Sequence, residues 1–272
     1  MVTLLAAARS ARRIDRRLAR AVSVTGRNVA AARLASYWLA LLSGFFEPLL
    51  YLLSIGVGVG AMIDGFTLPD GRTVGYAEFV APAMLAASAM NGAFAESTFN
   101  FFGKMKFQKL YDAVLATPVA PVEIAVGELL TAMLRGAVYA AAFLGIMVAT
   151  GLTSVGWALV AFPATMLVGF AFGACGMALA TYMRGWQDFD YVVVGMFALF
   201  MFSGTFAPAD SYPAPVRVLV EVTPLYHGVE LLRGITTGAP QWSMLWHLAY
   251  LLALTAVGLA VAGKRVGTLL CR

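Results

Sequence analysis

The chain carries little charge. Asp, Glu, Lys and Arg make up 12% of its 272 residues while 61% are apolar, against about 25% charged and roughly 45–50% apolar in a soluble domain. That balance excludes an ordinary water-soluble enzyme, and it equally excludes a disordered chain, which needs low hydrophobicity and high net charge. Cysteine is nearly missing: Cys175 sits inside an apolar run and Cys271 is the penultimate residue, so neither a disulfide framework nor a cysteine metal site is expected. Histidine is equally scarce. His227 and His247 stand apart in sequence and neither belongs to an H-E-x-x-H pattern, which removes the metal-dependent hydrolases. A phosphate-binding loop is lacking too. Its nearest approach, Gly258 to Lys264, is followed by Arg265 where a magnesium-binding Ser or Thr is required, and it ends an apolar helix instead of following a strand. Gly56, Gly58 and Gly60 likewise lack a dinucleotide-fold context and suit close helix packing.

What is present is a series of long apolar runs. Six can be read, at about 34–62, 79–97, 124–150, 155–181, 191–206 and 244–262, each measured against the roughly 20 residues needed for one helical crossing. The fold class is therefore all-α, a polytopic membrane protein with six transmembrane helices. Residues 1–33 form a separate amphipathic segment and 34–272 the membrane domain.

The few charges are unevenly placed. Arg9, Arg12, Arg13, Arg16, Arg17, Arg20, Arg27 and Arg33 precede the first apolar run. At about 100° per residue, the arginines from Arg9 to Arg20 share one arc of a helix and Leu4, Ala7, Ala11, Ile14, Leu18 and Val22 the opposite one. This reads as a basic amphipathic helix on the membrane surface; a transit peptide is the competing reading. With the N-terminus inside, the inner loops and tails hold 15 Lys and Arg and the outer ones only Arg72, Arg217 and Arg233, with Arg135 inside the third span. The asymmetry places both termini in the cytoplasm and the protein in the cell inner membrane.

Three segments are unusual within that frame. From Ala207 to Gly238 short apolar runs are broken by Pro213, Pro215 and Pro224; over about 213–235 they predict two short helices at the outer interface, too short to cross. In the first span Glu47 precedes a helix-weakening Pro48. Ionisable groups at membrane depth are costly, so Glu47 and Arg135 are expected to pair, either as a structural ion pair or as part of a transport path. After the second span, Lys104, Lys106 and Lys109 precede Leu110, Val114 and Leu115 and then Pro118 and Pro121. That pattern predicts a short amphipathic cytoplasmic helix with Tyr111 and Asp112 available to a partner.

Taken together, EPLLYLLSIGVGVG, YAEFVAPAMLAASAMNGAFAEST, KLYDAVLATPVAPVEIAVGELL and TPLYHGVELLRG, in this order over nearly the whole chain, resemble the membrane subunit of type-2 ATP-binding cassette (ABC) exporters, in particular the group exporting nodulation lipo-oligosaccharides and its drug-resistance relatives. The resemblance implies that the Arg-rich segment is a connecting helix and that the region of Lys104, Lys106, Lys109, Leu110, Tyr111 and Asp112 is the coupling helix that docks on an ATPase. The short helices before the last span would cap the exit, with Tyr226, His227, Glu230 and Arg233 as external gate candidates. It implies dimers, homomeric or with a similar permease, bound to separate ABC ATPase subunits. ATP and Mg would belong to those subunits, with no cofactor or metal on this chain. Where relatives often have Pro-Gly in the second span this chain has Pro82 and Ala83, so a kink there is less firmly implied.

The path is expected to be lined by the first, second and fifth spans, with Glu47, Tyr51, Arg135, Met196, Phe197, Phe200 and Phe202 as candidates for an amphiphilic substrate such as a lipo-oligosaccharide, glycolipid or hydrophobic drug. Lipid and amphiphile are thus expected partners, and nucleic acid is not. Two other classes compete: a membrane scaffold or assembly protein without transport, and an intramembrane enzyme, for which the needed cluster of polar residues is missing.

Overall fold

The computed structural model describes residues 19–30, 50, 52–54, 58, 65–67 and 71–270. Arg9 to Arg17 and most of the first expected span, with Glu47 and Tyr51, lie outside the described residues. Among the described residues the regular elements are helices apart from one small hairpin, in which β1 (Phe66–Thr67) and β2 (Thr73–Val74) pair antiparallel. Helix α1 covers residues 19–30. Then follow α2 (Tyr76–Ala95), α3 (Leu110–Leu115), α4 (Pro121–Ala149), α5 (Val155–Ala180), α6 (Asp188–Met201), α7 (Ala214–Val222), α8 (Pro224–Thr236) and α9 (Ser243–Leu270).

Local chemistry sets several of these boundaries. Helix α4 starts with Pro121 in its first turn, where the missing N–H costs nothing, and Glu123 reaches back to accept from the Ala120 N–H at 2.9 Å. It ends beside Gly151, whose φ of +74° turns the chain toward α5. Ser154 caps α5 by accepting from the Trp157 N–H at 3.4 Å. Three described helices, α4, α5 and α9, are long and apolar enough to cross a membrane. Helix α6, with 14 residues, is about 21 Å long at 1.5 Å per residue, shorter than the apolar run from 191 to 206 suggested; from Phe202 the chain leaves the helix.

The second span also departs from its expected end. Instead of stopping near residue 97, α2 continues through two π-helical turns, Glu96–Asn100 and Gly103–Phe107. The short helix expected from Lys104 onward is correspondingly shorter: Lys104 and Lys106 belong to the second π turn, Lys109 takes a left-handed φ of 48°, and only Leu110–Leu115 forms α3. The two short helices before the last span are present as α7 and α8.

Buried apolar side chains divide into two clusters. One gathers Phe79, Met84, Phe143, Val168, Leu225 and Leu232 around α2, α4, α5 and α8. The other gathers Phe102, Tyr111, Ile124, Leu129, Met177 and Val266 around α2, α3, α4 and the end of α9. Small residues bring the long helices together. A Cβ at Gly258 of α9 would lie 2.9 Å from Ala174 backbone and side-chain atoms of α5, so the glycine read in sequence against a phosphate loop is a packing residue. Replacing Gly258 by Val is expected to cost about 1–3 kcal/mol through overpacking and to lower the melting temperature in detergent. Gly145→Ala, where the added carbon meets nothing within 4 Å, should leave it nearly unchanged.

Candidate functional site

The end of the bundle where α1, α3 and α4 meet is organised by carboxylates on α4. Glu128, with 7% of its side chain exposed, receives Lys104 Nζ at 2.6 Å from the π-helical tail of α2 and has Arg27 Nη2 of α1 at 3.8 Å. Glu123, one and a half turns earlier, receives Arg20 Nη2 at 2.8 Å, and Arg20 also donates to the Pro118 carbonyl at 2.9 Å. Between the two pairs Thr25 Oγ1 donates to the Gly127 carbonyl at 3.0 Å. A Cβ at Gly127 would come within 2.7 Å of the Val24 Cβ, so the glycine permits α1 to lie directly on α4. Val22 remains 59% exposed while Ala21 and Val24 are buried against the bundle, and Arg20 and Arg27 turn toward protein carboxylates. A buried carboxylate needs such partners, because unpaired burial of a charge is strongly unfavourable.

Helix α3 hangs from the same node. Tyr111 is fully buried beside Glu128, against Phe101 with ring centroids 5.4 Å apart. Burial, and then the neighbouring Glu128 carboxylate, push its phenol above the usual range. The expectation that Tyr111 faces a partner is therefore corrected: the aromatic ring anchors α3 to the bundle. Lys104 is likewise occupied by Glu128, and Leu110 is half-buried. Lys106, Lys109, Asp112, Ala113 and Ala116 form the exposed surface here. Beside it Phe107 and Trp186 stack with centroids 5.5 Å apart.

Arg135 forms an ion pair with Glu96, at the start of the first π turn. The expected partner Glu47 is outside the described residues. Glu96 carried no sequence signal beyond being an acid within the second apolar run.

Two grooves flank α6. One, of about 370 Å³, lies between α2 and α6 and is lined by Met84, Ser88, Asn91, Met196, Phe197 and Phe200 among others. The other, of about 590 Å³, lies between α5, α6 and α9 and includes Phe172, Cys175, Met196, Leu199 and Leu254. Met196 borders both. Met196 and Phe200 thus fall where a second-span and fifth-span lining was expected, whereas Phe202 lies outside both linings, 39% exposed, with its carbonyl accepting from Thr223 Oγ1 at 3.1 Å.

At the opposite end of the bundle the external gate candidates prove largely internal. Arg233, 4% exposed, donates to the carbonyls of Gly204 at 2.9 Å and Phe79 at 3.3 Å, pairs with Glu230, and lies 3.8 Å over the Phe79 ring. It holds α8, α2 and the irregular segment after α6 together, so Arg233 is a structural tie and not an exposed gate. Tyr226 covers Gly204, whose added Cβ would meet the ring at 3.3 Å. His227, 4% exposed, meets His247 of α9. The spacing of the two histidines gave no sign of this, because it depends on α8 and α9 packing antiparallel across the turn at Gly238.

The Glu128 node makes a specific claim on stability. Glu128→Ala removes the shared acceptor of Lys104 and Arg27 and is expected to cost about 1–3 kcal/mol, read as a fall in melting temperature. Asp112→Ala, at an exposed position outside the node, should change it by under about 0.5 kcal/mol.

Comparison with known proteins fits this arrangement. The ABC-2 type transporter family matches residues 23–237, a stretch running from α1 through α8. Among curated proteins, Nodulation protein J of Rhizobium leguminosarum bv. trifolii is 30% identical over 233 residues, covering 85% of this chain and 86% of its own. The proteins of the same name from Rhizobium leguminosarum bv. viciae and Rhizobium meliloti (strain 1021) are each 29% identical, covering 78% and 74% of this chain and 80% and 75% of theirs. A chain of apolar helices, with α1 docked on α4 and the short α3 fixed beside it, belongs to the ABC-2 type transporter family as a membrane permease.

Proposed function

We propose that this permease is the membrane-spanning half of an ATP-driven exporter that moves an amphiphilic molecule, a lipo-oligosaccharide, glycolipid or hydrophobic drug, out of the cytoplasm or the inner leaflet. ATP and Mg are held by separate ABC ATPase subunits, and this chain contributes no cofactor of its own. Six spans, with both termini in the cytoplasm, place α1 and α3 on the ATPase side and α7 and α8 on the outside. Two copies, or one copy and a similar permease, enclose the path.

The observation that carries this reading is the attachment of α3. It has only six residues, too few to be stable alone, yet it is fixed from above by Tyr111 and by the Lys104–Glu128 pair that joins α2 to α4. A push on its exposed side is therefore delivered into two long helices. The α2–α6 groove suits an amphiphile because Ser88 and Asn91 interrupt an otherwise apolar wall of Met84, Met196, Phe197 and Phe200.

Docking is tested at the exposed side alone, since Tyr111 variants would disturb folding. Asp112→Arg combined with Ala113→Arg is expected to reduce recovery of the co-expressed ATPase at least tenfold while the melting temperature stays unchanged. Unaltered recovery sinks the coupling assignment. For the path, Ala87→Trp is expected to fill the α2–α6 groove and to lower export of a lipo-oligosaccharide or hydrophobic dye from intact cells several-fold. Val160→Trp, on the exposed side of α5, should leave export near the unsubstituted rate; equal effects of the two would argue against the groove.

A further inference from the structure

His227 on α8 and His247, in the second turn of α9, bring their Nδ1 atoms to 2.7 Å. At that separation one nitrogen must carry the hydrogen and the other must accept it. The His227 ring is stacked on Tyr250 of α9 at 3.9 Å between centroids, and the Tyr250 hydroxyl donates to the Val222 carbonyl at the end of α7 at 3.1 Å. The short helices are thus fastened to the last span along one line, with the imidazole pair as its titratable member.

The charged and titratable surroundings are few. On α8 itself they are Tyr226, Glu230 and Arg233, the last two paired with each other. Helix α9 presents His247 and Tyr250, α5 presents Cys175 toward Tyr250, and α7 with the turn before it presents Glu221 and Asp210 toward Tyr226. Arg217 is held by Asp210 and Glu221. Helix α2 presents Phe79 under Arg233, with Glu78 in the same first turn directed to Arg72. Glu230, whose charge also reaches His247, is paired with Arg233, Asp210 and Glu221 share Arg217, and Glu78 faces Arg72, so each acid around the imidazole pair is already engaged by a cation.

We propose that His227 and His247 form a proton-operated latch: one Nδ1–H···Nδ1 bond holds the start of α8 to the first turns of α9, and protonation of both rings breaks it and frees α7 with the first turn of α8 from α9, while Arg233 still ties the far end of α8. One added proton can reside on an outward Nε2 and leave the bond in place. The second places two donors and two positive charges face to face at 2.7 Å. Burial, and then the charge of His247, hold His227 down at about 4, against an ordinary value of about 6.5. The sign follows: the closed form is fully favoured above the ordinary value, loses ground as the pH falls, and has lost all of this contribution below about 4. The bearing of the latch on export rests on the permease reading above, whereas its opening does not.

The test is a distance measured on the full-length protein in lipid nanodiscs. Spin labels are placed at Val218→Cys on α7 and Trp242→Cys before α9, both exposed, in a Cys175→Ser, Cys271→Ser background. Between about pH 7.5 and 3.5 a second, longer distance should appear, more steeply than a single proton allows. His247→Asn keeps an acceptor near the same position that cannot be protonated, and should hold the short distance throughout. His247→Lys should show the long distance already at neutral pH. A single unchanged distance in the unsubstituted protein down to the lowest pH, or an acid response in His247→Asn equal to it, overturns the proposal. A closed neutral distance in His247→Asn establishes that the variant is folded. None of these readings involves the ATPase or a cargo, so failure of the latch and failure of the exporter reading are separable.

Discussion

The carboxylate of Glu128 is the contact on which the packing of α1, α2, α3 and α4 depends. It is removed from water on a long apolar helix, where it persists only with cations beside it. The two that reach it come from elements distant in sequence, Arg27 on α1 and Lys104 at the end of α2. Tyr111 brings α3 to the same point. One buried charge therefore fixes the relative positions of four elements, and Glu123 with Arg20 repeats the device a turn and a half away. The close approach at Gly127 would be impossible for any residue with a Cβ, so shape and charge enforce the same docking of α1.

Arg233 is the counterpart at the opposite end. Its guanidinium donates to backbone carbonyls at Gly204, in the irregular segment after α6, and at Phe79 of α2. The two polar knots are joined by α2, α4, α5 and α9, packed through apolar contacts and small residues. Helix α6 differs from these: it is short, has grooves on both sides, and keeps Tyr191, Val194 and Phe197 largely exposed. The bundle thus combines a frame held by polar ties at both ends with one short helix flanked by two grooves.

Legibility in the sequence followed the range of the interaction. The long helices could be read because twenty or more apolar residues admit few alternatives in a bilayer, and the two short helices because Pro213, Pro215 and Pro224 interrupt the chain at short intervals. The end of α2 was misjudged, since π turns leave no pattern distinguishable from an amphipathic loop. Lys104, Lys106 and Lys109 were grouped as one basic surface, but the widened helix turns Lys104 inward to Glu128 while Lys106 and Lys109 stay exposed. Tyr111 is expected to be available to a partner, and Arg233 is an external gate candidate by resemblance. Both are buried, one by its ring and the other by the carbonyls it serves.

By itself the sequence determined the solvent, the helical class and which loops hold the positive charge, because hydropathy and charge counts depend on composition over a window and not on who meets whom. It also carried the family likeness, which lies in the order of local motifs. Only the tertiary structure decided the pairings: Glu128 with Lys104 and Arg27, Arg135 with Glu96, His227 with His247. These join residues whose separation along the chain says nothing about their separation in space. Their cost when unpaired in a low-dielectric interior is nevertheless what selects one packing of the helices over the others.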